Sequence, residues 1–161
     1  MQTKYKRGEG VTKKDIETLA FETADLLPII KEAVKSGKGF VLTVTGQSMR
    51  PTLRNLKDKV ELVALKKELR KGDLLFFERD DGSCILHRVI KVQSDSYIVS
   101  GDAQTWTEVV KKDKAIAIVK RVCKNGRWID CDSFSYRFAD CFRRIAKPLR
   151  IFARSIRRKI K

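Results

Sequence analysis

Between Phe40 and Val122 the apolar residues arrive in short runs rich in Val, Ile, Leu and Phe, and the runs are separated by turn-forming pairs. The runs Phe40 to Thr45, Lys59 to Ala64, Asp73 to Glu78, Cys84 to Val92, Tyr97 to Ser100 and Ile116 to Val122 predict strands. Lys71-Gly72-Asp73, Asp80-Asp81-Gly82, Ser94-Asp95 and Lys124-Asn125-Gly126 mark the turns, and the Asp-Gly and Asn-Gly pairs favour tight hairpins. Outside this region the period changes to three or four. Ile16, Leu19, Ala20, Leu26, Leu27, Ile30, Ala33 and Val34 predict a helix from Thr12 to about Lys35, kinked or divided by Pro28 and ended by Ser36-Gly37-Lys38-Gly39. Phe138, Phe142, Ile145, Leu149, Phe152, Ile156 and Ile160 predict helix again from Ser133 onward, with Pro148 opening a second helix or bending a continuous one. The expected fold is mainly β, an antiparallel domain over residues 39–132, flanked by a basic arm and N-terminal helix (1–38) and a basic amphipathic C-terminal segment (133–161).

Length and composition agree with one folded unit: 161 residues, 42% hydrophobic and 35% charged. The net charge of +16 attracts polyanions, and it is unevenly placed. From Arg137 to Lys161 ten Lys or Arg face one acidic residue, Asp140, a net of +9. A helix greasy on one side and basic on the other suits an anionic membrane surface, or packing on the domain with its cationic face in water; nucleic acid is the weaker candidate partner. Cys84, Cys123, Cys131 and Cys141 match no metal-binding spacing and read as reduced thiols, so neither a metal nor another cofactor is implied. No apolar run reaches the length of a transmembrane helix, and Met1 to Thr12 lacks the apolar stretch of a secretory signal. The expected location is the cytoplasm, with peripheral contact at the inner membrane face.

Candidate chemistry sits within one predicted strand and in the loops that follow two others. Thr45-Gly46-Gln47-Ser48-Met49-Arg50-Pro51-Thr52 leaves a strand through a glycine and presents Ser48 at a bend. A serine hydroxyl is a weak nucleophile without a base, and in isolation Ser48 reads as a turn serine. His87, the single histidine, lies in the apolar strand Ile85-Leu86-His87-Arg88-Val89-Ile90. It is either a structural residue or the general base that Ser48 needs. Asp102, on a glycine turn after a short strand, could orient the imidazole, and Glu108, in a loop of similar character, could assist or merely be solvated.

Taken in order, these segments resemble the signal peptidase and SOS-repressor autoprotease superfamily over roughly Phe40 to Val122. The marks are Gly-Gln-Ser-Met-Arg-Pro-Thr at 46 to 52, Lys-Gly-Asp-Leu-Leu-Phe-Phe at 71 to 77, Leu-His-Arg-Val-Ile at 86 to 90, and Gly-Asp at 101 and 102. A histidine at 87, where most bacterial members have lysine, resembles the endoplasmic-reticulum type of type I signal peptidase. The resemblance implies a serine endopeptidase with Ser48 as nucleophile, His87 as base, Asp102 as the acidic partner and Glu108 at a second acidic position where the family pattern has aspartate. It further implies an oxyanion site using the Ser48 N–H with Gly46 offering only backbone, contacts from Gln47, Met49 and Pro51, and a peptide or precursor substrate pairing with the edge near Phe40 to Thr45. The contrasting expectation is a catalytically silent member of the same fold that binds peptide, membrane or nucleic acid.

Overall fold

The computed structural model describes residues 26–65 and 68–145, and every structural statement below concerns those residues. Helix α1 (Leu27–Lys35) leads into strands β1 (Phe40–Thr43), β2 (Lys59–Val63), β3 (Leu74–Glu78), β4 (Cys84–Val92), β5 (Ser96–Ser100), β6 (Glu108–Lys111), β7 (Ala115–Lys124) and β8 (Arg127–Asp130), followed by helix α2 (Phe134–Ile145). All strand pairs are antiparallel, in the order β1-β2-β7-β3-β4-β5-β6, with β8 hydrogen-bonded to β7. The mainly β class with flanking helices is thus the observed one.

Alternation along the central strand sorts the core onto two faces. In β3 the run Leu74-Leu75-Phe76-Phe77 is buried throughout, and successive side chains point to opposite sides. Leu74 and Phe76 join a cluster with Ile30 and Val34 of α1, Met49, Leu53, Val60, Val119 and Tyr136. Leu75 and Phe77 join a second cluster with Leu69, Val89, Tyr97, Val99 and Val110. Antiparallel register carries the same division onto β4: His87 stands opposite Leu75 and Arg88 opposite Leu74. The two neighbours therefore project to opposite faces of the sheet.

Two strands depart from the expected pattern. β6 occupies the segment expected to be loop, so Glu108 opens a strand; its four residues, Glu-Val-Val-Lys, are too few for periodicity to register. β8 follows the Asn125-Gly126 turn, in which both residues are left-handed (φ 50 and 78), as a two-residue hairpin requires. The hairpin signal was legible; the short return strand Arg127–Asp130 was not. Pro28 falls in the first turn of α1, where its missing N–H costs nothing, and the expected residues 12–25 of that helix lie outside the described residues. At its other end Gly37 (φ 77) lets the Lys38 N–H reach the Ala33 carbonyl at 2.9 Å.

The C-terminal helix meets the domain with its polar side. Ser133 caps it, its Oγ accepting from the Tyr136 N–H at 3.3 Å. Tyr136 and Asp140 are buried against the sheet, and Arg137 donates to Asp73 at 3.0 Å. Phe134, Phe138, Phe142 and Ile145 are exposed. A helix packed in the usual way would bury that apolar stripe; here a buried arginine beneath the helix, described below, draws Asp140 inward instead. Phe76→Ala is expected to lower the unfolding free energy by about 3–5 kcal/mol, whereas Phe138→Ala should change it by no more than about 0.5 kcal/mol. Denaturant unfolding of both variants checks the orientation of α2, since an inward Phe138 would give it a core-sized loss.

Candidate active site

The loop after β1 is shaped by its own sequence. Gly46 is left-handed (φ 85) with open space where a Cβ would stand, so the requirement is conformational. Its N–H donates to Asn55 Oδ1 at 2.8 Å, which commits the backbone group expected to be available for an oxyanion. Met49 and Leu53 are buried in the first core cluster and anchor the loop, while Gln47 and Pro51 are exposed and Gln47 accepts from the Arg50 guanidinium at 3.1 Å. Asp58, fully buried, holds the far side through the Arg54 N–H (2.8 Å) and side chain (2.6 Å). Ser48 is half-buried at the apex, and its carbonyl accepts from the Ala103 N–H at 2.8 Å. Gly101 lies so close that an added Cβ would stand 2.7 Å from that carbonyl. The Ser48 bend and the loop after β5 are therefore held together by backbone contact.

His87 is buried, with Phe77 and Trp106 packed around its ring at centroid distances of 6.0 and 6.2 Å. Its Nδ1 lies 2.6 Å from Glu108 Oε1. Register explains the meeting: Glu108 pairs with Val99, Val99 pairs with Val89, and Val89 is two residues from His87 on the same face. Arg79, two residues beyond Phe77, fixes the carboxylate in turn, with Nε 2.8 Å from Oε2 and Nη2 3.0 Å from Oε1. An ionised carboxylate only accepts, so it holds the ring proton on Nδ1 and leaves Nε2 as the acceptor. Burial pushes the imidazole below its ordinary pKa, more than the Glu108 charge and hydrogen bond raise it, so the ring is neutral at physiological pH. Among the described residues no hydrogen bond joins the Ser48 hydroxyl to His87.

Asp102 is turned to the next residue of the strand. Arg88 is fully buried and donates from Nε and Nη2 to Asp102 Oδ1 and Oδ2 at 2.8 and 2.7 Å, and from Nη1 to the Gly72 carbonyl at 2.8 Å. Asp140 Oδ1 of α2 lies 2.6 Å from Nη1. Burial opposes the charge, but the Asp102 hydrogen bonds and the surrounding acidic groups outweigh it and raise the guanidinium above its ordinary pKa. The structure thus brings His87 together with Glu108, and Asp102 together with Arg88.

Sequence reading overlooked Arg79, Arg88 as a buried cation, and Asp140. A signal existed for Arg88: in Ile85-Leu86-His87-Arg88-Val89-Ile90 both strand faces are apolar, so a charge there needs buried counter-charges. For Arg79 there was none, because its partner is 29 residues away across three strands.

The antiparallel sheet, with the Ser48 bend held against the loop after β5, forms a serine-peptidase-like fold. The chain belongs to the Peptidase S24-like family, whose model matches residues 8–123. A search of curated proteins finds no match to the chain. Gly101→Ala should force the Ser48 carbonyl or its own loop to shift and lower the unfolding free energy by about 1–3 kcal/mol. Thermal and denaturant unfolding check this, and an unchanged stability would mean the two loops are not in backbone contact.

Proposed function

We propose that the protein is a serine endopeptidase of the Ser-His subtype, related in mechanism to type I signal peptidases of the endoplasmic-reticulum kind. The observation that carries the reading is the chain of contacts from Arg79 to Glu108 to His87 Nδ1, which prepares a neutral imidazole with a free acceptor nitrogen. In the proposed reaction His87 Nε2 takes the Ser48 proton as Oγ attacks a peptide carbonyl. The imidazolium returns that proton to the leaving amine, and water, deprotonated by the same ring, hydrolyses the acyl-enzyme. Glu108 stabilises the imidazolium, and the two Arg79 hydrogen bonds keep Glu108 aimed at the ring. The Ser48 N–H, which donates to no described residue, is the oxyanion donor. Asp102 acts as a positioning residue: through Arg88 it fixes the loop whose Ala103 N–H holds the Ser48 carbonyl.

The substrate is an extended peptide from a precursor protein, paired with the outer edge of β1, the terminal strand on that side of the sheet. Treatment with a serine-directed phosphonate, read by intact mass, should add one label that Ser48→Ala abolishes. His87→Ala should slow labelling to near the background rate, and Glu108→Gln should slow it by about 10²–10⁴-fold. Failure of the unsubstituted protein to label, beside a positive control enzyme, overturns the reading in favour of a silent binding module. Because the base must be neutral, labelling should rise with pH through an acid limb centred below about 6.5, the ordinary histidine value. A limb at or above that value would contradict the buried site.

A further inference from the structure

Among the described residues nothing covers the outward stripe of α2. At about 100° per residue, Phe134, Phe138, Phe142 and Ile145 fall within roughly 80° of arc, and their exposures are 86, 67, 69 and 69%. Phe134 and Phe138 stack on each other with centroids 6.2 Å apart. Tyr136 and Asp140 lie on the opposite side of the helix and tie it to the domain, Asp140 through the buried Arg88. The helix is thus fixed in position while three phenylalanines face water, an arrangement that costs solvation free energy unless something covers them.

The sequence that follows says what suits this face. Residues 146–161 contain Leu149, Phe152, Ile156 and Ile160 together with seven Lys or Arg and no Asp or Glu. A second copy of the chain would bring two segments of net +9 together, and nucleic acid would satisfy the cations and leave the phenylalanines in water. An anionic bilayer answers both demands: aromatic side chains enter the boundary between headgroups and acyl chains, and Lys and Arg pair with the headgroups. We propose that the C-terminal helical face, led by Phe134, Phe138 and Phe142, docks the protein peripherally on an anionic phospholipid membrane. No helix among the described residues is long and apolar enough to cross a membrane, so the contact is one of lying on the surface. The attachment is independent of whether Ser48 is a nucleophile.

Flotation with vesicles of phosphatidylcholine, alone or mixed with phosphatidylglycerol, tests the proposal on the full-length protein. Binding should require phosphatidylglycerol and weaken as salt is raised from about 0.15 to about 1 M, where the screening length falls from about 8 to about 3 Å. Replacing all three exposed rings (Phe134→Ser, Phe138→Ser, Phe142→Ser) should lower the partition coefficient at least about tenfold, taking even half-burial of each ring into account. The same variant should keep the unfolding midpoint of the parent, which separates loss of contact from loss of fold. Arg154→Gln, Arg157→Gln and Arg158→Gln together should weaken binding to anionic vesicles only. Binding that survives the triple Phe substitution, or equal binding to both vesicle types, overturns the proposal. So does a concentration-dependent dimer that the Phe substitutions dissolve, which would assign the face to a second copy.

Discussion

A guanidinium in the protein interior sets the terms for much of this structure. Taking a charge of that size out of water costs several kcal/mol even after relaxation, and the cost is offset only by close opposite charge and complete hydrogen bonding. Arg88 draws close opposite charge and hydrogen bonds from three separate parts of the chain: Asp102 after β5 and the Gly72 carbonyl before β3 accept its hydrogen bonds, and Asp140 on α2 adds a charge 2.6 Å away. Each partner is thereby fixed relative to β4. The loop carrying Asp102 in turn grips the Ser48 carbonyl through the Ala103 N–H, and α2 is turned so that its acid faces inward and its phenylalanines face out.

Because side chains alternate across a strand, the same segment of β4 serves a second purpose on its other face. His87 points away from Arg88 into the cluster of Leu75, Phe77, Val89 and Val99, where burial keeps the ring neutral and Glu108 holds Nδ1. Structural charge and candidate chemistry are one residue apart and separated by the sheet itself. Arg88 is neutralised by its own carboxylates and Arg79 is paired with Glu108, while the charges of Asp102 and Arg79 still reach the imidazole and act on it in opposite directions.

The fold was largely legible because its strands are built from runs of apolar residues punctuated by Gly and Asp, a pattern that survives without any tertiary information. Both strands that escaped notice, β6 and β8, are four residues long, and β8 is mostly exposed. The site residues were legible as a set but not in their pairing. Asp102 and Glu108 are both acids shortly after β5, and only the register of β4, β5 and β6 decides which of them reaches His87. The direction of α2 was not legible either: its periodicity marks one apolar stripe, while the demand that turns it outward comes from Arg88, fifty-two residues away from Asp140 in sequence.

The presence of a single histidine makes the central point directly measurable. Long-range nitrogen–proton correlation NMR of His87 near pH 7.5 reports which ring nitrogen carries the proton. With Glu108 on Nδ1, the ring should be neutral and in the Nδ1-protonated tautomer, with Nε2 bare to accept from Ser48. The Nε2-protonated tautomer, or an imidazolium persisting at that pH, would leave no acceptor for the serine proton and would contradict the account.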